Sequence, residues 1–183
     1  ALSVRFTGGE PLLRTDFTEL YLFARRLGLK VMIFTNGRLI TPELASKFAR
    51  IPPLLKIEIS VYGMRQQTYD EITCSPGAFK EFMRGVSLLS EYKVPFVVKY
   101  VLLPKNKEEL LEYEQWAATL PFKQNDLVEP LLLDLRTRRD SAAKNKLIAS
   151  LRFSTEENIA QTARHGDSYK KSMAQFCANF SGL

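Results

Sequence analysis

The feature that most constrains this fold is a regular alternation of short apolar runs with longer segments of helical period. Strand-like runs, rich in branched and apolar residues, fall at 3–6, 29–34, 55–61, 95–103 and 127–135, the last interrupted by Pro130. Between the first two, Asp16 and Glu19 have capping-box spacing, Leu20, Ala24 and Leu27 mark one helical face, and Gly28 closes it. Thr41 and Pro42 open the next helix, with Leu44 and Phe48 inward and Pro52-Pro53 as its stop. A long helix over 78–92 buries Phe79, Phe82, Val86 and Leu89 at spacings of three and four. Asn106 and Glu109 offer another capping box, ahead of a helix lined by Leu110, Tyr113 and Ala117.

Strands recur at intervals of about 25–40 residues, the length of a βαβ unit. Right-handed crossovers then make the sheet parallel and curved, with helices outside. The near-continuous apolar run at 95–103 suits a strand covered on both faces. The expected fold class is therefore α/β, a curved parallel sheet of barrel type with outer helices. Beyond Arg136 the pattern weakens, although Ser154-Thr155-Glu156-Glu157 starts a helix through Ala163. This divides the chain into a core over 1–140 and a helical extension over 141–183. In such folds ligands sit at the C-terminal ends of strands, where the βα loops are free to vary.

The first strand runs into Thr7-Gly8-Gly9-Glu10-Pro11. Two glycines let the backbone take positive φ and approach a ligand, Glu10 adds a carboxylate, and Pro11 stiffens the exit. From the residues alone this is either a ligand site for a cationic amine or a tight βα turn that carries a glutamate. Asn36, between Thr35 and Gly37, ends the next strand and is equally a ligand residue or simple turn chemistry. Ser60 on the third strand has a hydroxyl for a ligand or for a neighbouring backbone group. Lys99 interrupts an apolar strand; unpaired burial would cost several kcal/mol, so it meets an anion or reaches out to water. Glu58 faces away from Ile57 and Ile59 and is a weaker candidate.

These stretches, in order, resemble the radical SAM superfamily: the Gly-Gly-Glu-Pro turn, Thr35-Asn36-Gly37, Ile57 through Gly63, and Ser75-Pro76-Gly77-Ala78-Phe79. The resemblance covers about residues 3–140 and is closest to the peptide-maturing branch with auxiliary iron–sulfur clusters, the SPASM group. It implies that the fold is a partial (β/α) barrel, that Gly8, Gly9, Glu10 and Pro11 bind the methionyl amine of S-adenosylmethionine (SAM), and that Asn36 joins that site. Ser60 would serve the SAM carboxylate or ribose, Lys99 the carboxylate, and Asn106 the ribose, alongside its role as a helix cap. It also implies a [4Fe–4S] cluster, a peptide or protein substrate, and an electron donor such as flavodoxin or ferredoxin. The family's cluster loop, CxxxCxxC, precedes its Gly-Gly-Glu-Pro turn, whereas this chain has two cysteines, Cys74 and Cys177. The expectation is thus a piece of a larger enzyme that lacks the first β/α unit, does not cleave SAM alone, and self-associates through the exposed edge of its first strand. Cys177 lies where relatives place an auxiliary-cluster cysteine; one thiolate cannot hold a cluster that needs four.

Composition narrows the alternatives. With 183 residues, 45% apolar and 25% charged, the chain can bury one sizeable core. No apolar run approaches the ~20 residues of a membrane span. Two distant cysteines do not make a disulfide framework, which points to a reducing compartment, the cytoplasm. The formal charge of +6 is explained by solvated lysines, and no nucleic-acid motif accompanies it. Arg136, Arg138, Arg139 and Asp140 read as a solvated loop or a grip on a substrate carboxylate, while Cys74 and His165 receive no role. Two other functions compete: a βα-barrel enzyme whose glycine turn binds an anion, and a non-catalytic module that recognises peptide. Glu10 beside the turn argues against the first by repulsion.

Overall fold

The computed structural model describes residues 2–122, 131–132, 141–154, 156–157 and 159–160. The chain divides into two compact units, Ala1–Leu132 and Leu133–Leu183. In the first, five parallel strands follow one another across a single sheet in sequence order: β1 Ser3–Phe6, β2 Lys30–Thr35, β3 Leu54–Val61, β4 Phe96–Leu102 and β5 Leu131–Leu132. The sheet is open, with β1 and β5 at its two edges. The expected strand at 127–135 is described only at its two residues in β5.

Helices cover one face. Val31, Ile33, Ile57, Ile59, Val61, Phe96, Val98 and Tyr100 are all buried there, whereas Met32, Phe34, Glu58, Ser60, Val97 and Lys99 alternate with them and stay half-exposed. A strand's side chains alternate between faces, so β4 is covered on one side along Phe96–Lys99, whereas Tyr100, Val101 and Leu102 are buried in succession and its C-terminal end is covered on both, as its apolar run suggests. The uncovered face is where the polar residues sit.

The helices are α1 Phe17–Arg26, α2 Pro42–Arg50, α3 Gln66–Thr73, α4 Ala78–Glu91 and α5 Leu110–Ala118, with α6 Ala142–Ser150 in the second unit. The sequence pattern gives no helix at α3. α1 packs through Phe17, Tyr21 and Ala24, not through Leu20 and Leu27, which are exposed. Two of its anchors are aromatic: Phe17 meets Phe6 edge-on at 5.4 Å, and the Tyr21 hydroxyl donates to the Ile51 carbonyl. Asp16 does not cap α1, because its carboxylate pairs with Arg14 at 2.8 Å. Thr41 does cap α2, its hydroxyl accepting from the Leu44 amide at 3.2 Å. α4 begins instead at a borrowed cap: Asp70 of α3 accepts from the Gly77 and Phe79 amides at 2.7 and 2.9 Å. Those bonds, Phe79 first and then Gly77, hold the Asp70 carboxyl below its ordinary range. In the second unit Ser154 and Glu157 exchange hydrogen bonds at 3.1 Å, a reciprocal helix start. No described helix is long and apolar enough to cross a membrane.

Candidate functional site

A pocket of about 590 Å³ opens on the uncovered face, at the C-terminal ends of β1 to β4. Thr7, Gly8, Gly9 and Glu10 form one side, Phe34, Thr35 and Asn36 the end of β2, and Glu58, Ser60, Tyr62 and Lys99 the wall along β3 and β4. Its size lies in the ordinary range for small-molecule sites, about 300–1,000 Å³. Ser60 and Lys99 are direct partners in the β3–β4 register, so a hydroxyl and an ammonium stand side by side. Lys99 is half-buried, and its side chain has no hydrogen bond or ion pair among the described residues. A desolvated cation of that kind favours an anionic partner.

Glu10 is a fastener as well as a wall. One carboxylate oxygen accepts from the Leu12 amide at 3.0 Å and the Thr35 hydroxyl at 2.8 Å; the other accepts from the Asn36 amide at 2.8 Å. β1 and β2 are thereby joined at their C-terminal ends. A carboxylate offers about four acceptor positions, so three bonds leave one for a ligand. The glycines beside it are open: a Cβ built on Gly8 or Gly9 would meet nothing within 4 Å, and Gly8 has φ of 110°. That leaves bare main chain facing the pocket.

Tyr62 joins the pocket to a buried aromatic cluster. Tyr62 meets Tyr69 edge-on at 5.7 Å, and Tyr69 stacks on Phe82 at 5.1 Å. Burial pushes the Tyr69 hydroxyl well above its ordinary range, and that oxygen has no hydrogen-bond partner among the described residues.

Of the residues singled out in the sequence, Gly8, Gly9, Glu10, Asn36, Ser60, Lys99 and the weaker candidate Glu58 meet at this pocket. Pro11 and Asn106 do not line it. Pro11 is buried and opens a short 3-10 helix, Pro11–Leu13. Asn106 is fully buried and gives no side-chain cap to the helix that follows. Its Oδ1 accepts from the Leu103 amide at 2.8 Å, and its Nδ2 donates to the Tyr62 and Val101 carbonyls at 2.9 Å. The expected capping box fails for the same reason. Glu109 is buried and turned away, accepting from the Met64 and Arg65 amides at 2.6 and 3.1 Å. Together Asn106 and Glu109 pin the loop after β3, and so fix Tyr62 at the pocket. Sequence reasoning missed this role; the available signal was a carboxylate next to the apolar face of Leu110 and Tyr113. Asn106→Leu, close in shape, is expected to cost about 3 kcal/mol by leaving three backbone groups unpaired. Urea denaturation checks this, and a loss below about 1 kcal/mol would refute the pinning role.

Cys74, exposed and left-handed at φ of 50°, ends α3. Cys177, Arg136, Arg138, Arg139, Asp140 and His165 lie outside the described residues. Among the described residues no group of three or more His, Cys, Asp or Glu side chains could hold a metal ion.

The family model described as the radical SAM superfamily matches residues 2–117. The chain belongs to the radical SAM superfamily. This radical SAM chain is 32% identical to an AdoMet-dependent heme synthase of Methanosarcina barkeri over 62% of its own length and 32% of the relative's. It is 36% identical to a protein of the same description from Oleidesulfovibrio alaskensis, over 55% and 26%. A probable GTP 3',8-cyclase of Saccharolobus islandicus is 29% identical over 69% and 41%. Among solved structures, native anSMEcpe with bound AdoMet and Kp18Cys peptide is similar at a TM-score of 0.47 and 23% identity, covering 61% of this chain and 35% of that one. The chain therefore spans about a quarter to two-fifths of the lengths of these relatives.

Proposed function

We propose that this chain is the SAM-binding part of an enzyme that reductively cleaves SAM to methionine and a 5′-deoxyadenosyl radical, which abstracts hydrogen from a peptide or protein substrate. The observation that carries the reading is the convergence of Glu10, Ser60 and Lys99 on one pocket beside bare glycine backbone. In this reading main-chain groups of Gly8 and Gly9 and the remaining acceptor of Glu10 take the methionyl ammonium. Lys99 takes the carboxylate, and Ser60 donates to the carboxylate or ribose. The sheet orients the ligand and withholds water from it.

A [4Fe–4S] cluster would supply the electron in this chemistry and would need the three closely spaced thiolates of a CxxxCxxC loop. The two cysteines of this chain do not meet that need, so its own share is to bind and orient SAM. The chain alone, treated with iron and sulfide, is expected to yield no 5′-deoxyadenosine.

Calorimetry tests the binding claim with SAM, inorganic phosphate and a short acidic peptide as titrants. Saturable SAM binding, weakened at least about tenfold in both Lys99→Gln and Ser60→Ala, is the expected result; tenfold is about 1.4 kcal/mol. Binding to phosphate alone, or SAM binding indifferent to both substitutions, would overturn the assignment.

A further inference from the structure

We propose that the uncovered face below the pocket receives an anionic group of the substrate, a carboxylate or a phosphate, between Arg5 and Lys56. This rests on the SAM reading in that the group would belong to the molecule lying beside SAM.

Register places the two cations in one row. Arg5 pairs with Met32, and Met32 pairs with Lys56, so the cations flank Met32 on successive strands. Their Cα atoms are then about 10 Å apart, two strand spacings. Phe6 packs against Phe17 under the helices, so its neighbour Arg5 projects from the opposite face, the one that carries the pocket. A bulge sets the other partner: Val31 pairs with Leu54 but Met32 with Lys56, leaving Leu55 as the extra residue. Bulges re-aim side chains and gather next to functional sites.

Lys56 is held where the bulge puts it. Its Nζ lies 2.5 Å from Glu58 Oε2, and the Glu58 side chain is 13% exposed against 35% for Lys56. One of the three ammonium protons is thus engaged and two remain for a ligand. Arg5 is exposed, and its side chain has no hydrogen bond or ion pair among the described residues. Its guanidinium fork matches carboxylate and phosphate oxygens in pairs. Counting Arg5, Lys56 and Glu58, the row carries one net positive charge. Glu58 also lines the pocket, which joins this row to the proposed SAM site directly.

The test is calorimetric titration of the whole chain with pyrophosphate and, separately, with glutarate at low ionic strength, in wild type, Arg5→Gln, Lys56→Gln and Lys80→Gln. Lys80 is exposed on α4, away from this face. Saturable binding of at least one anion is expected, weakened about tenfold in Arg5→Gln and in Lys56→Gln, and unchanged in Lys80→Gln. Which titrant binds separates a phosphate source from a carboxylate source. Arg5→Gln removes an exposed side chain, so it keeps the test decisive if Lys56→Gln unbalances Glu58 and unfolds. No saturable binding of either anion, or equal binding in wild type and Arg5→Gln, would overturn the proposal. SAM titrated into the same proteins separates the two readings. SAM binding without anion binding removes only the anion row, and anion binding without SAM binding removes only the SAM assignment.

Discussion

Glu10→Ala is expected to lower SAM affinity at least about 100-fold, which is roughly 2.7 kcal/mol, and to destabilise the fold as well. Both effects follow from one carboxylate. The substitution removes the acceptor position proposed for the ammonium, and it frees the Leu12 amide, the Thr35 hydroxyl and the Asn36 amide together. Thr35 is 4% exposed, so water cannot readily replace its partner. Unpaired groups of this kind cost about 1–3 kcal/mol each. Glu10→Gln separates the two contributions: it keeps one carbonyl acceptor, so most stability should survive while the preference for a cationic amine falls. Calorimetry beside urea denaturation reads both quantities. If Glu10→Ala binds SAM like wild type, the carboxylate has no part in ligand binding, whatever happens to stability.

Gly85→Ala should be the most damaging small substitution in the first unit. A Cβ at Gly85 would lie 2.0 Å from the Gly37 carbonyl oxygen and 3.0 Å from its carbon. Those are backbone atoms and cannot swing aside like a side-chain tip. α4 must retreat from the turn after β2, or that turn must shift. Overpacking costs typically about 1–3 kcal/mol where side chains yield, and a backbone clash places this change at or above the upper end. The damage should reach the pocket, since Asn36 adjoins Gly37 and is fastened to Glu10. A lower melting temperature together with weaker SAM binding is the expected pair of results. Gly77→Ala is the control, having positive φ but nothing within 4 Å of the added carbon. It should lose only the conformational preference, about 1–2 kcal/mol. Equal melting temperatures for the two variants would refute the clash argument.

The strand–helix alternation and four of the strands were legible because branched runs and helical periods are local signals. Thr41 capped α2 as its sequence suggested, while Asp16 and Asn106 did not cap, because each found a stronger partner elsewhere: Arg14 for one, three backbone groups for the other. Spacing identifies a side chain that can cap but not a competitor brought in by the fold. α3 was missed because only Tyr69 is buried on it, too little for a periodic signal. The pocket residues were readable where they sat at strand ends beside glycine. Phe34, Tyr62 and the loop-pinning Glu109 were not, since their roles depend on which face the sheet leaves bare.

The fastener between β1 and β2 ties occupancy to the opening of an edge. β1 is four residues long, pairs with one strand among the described residues, and carries the glycine turn at its end. Fraying of that margin would dismantle half of the pocket, so a bound molecule must hold it shut. Amide hydrogens of Lys30 and its neighbours, one of which bonds to the Leu2 carbonyl, should therefore exchange more slowly as ligand is added, giving a backbone clock for binding that needs no turnover.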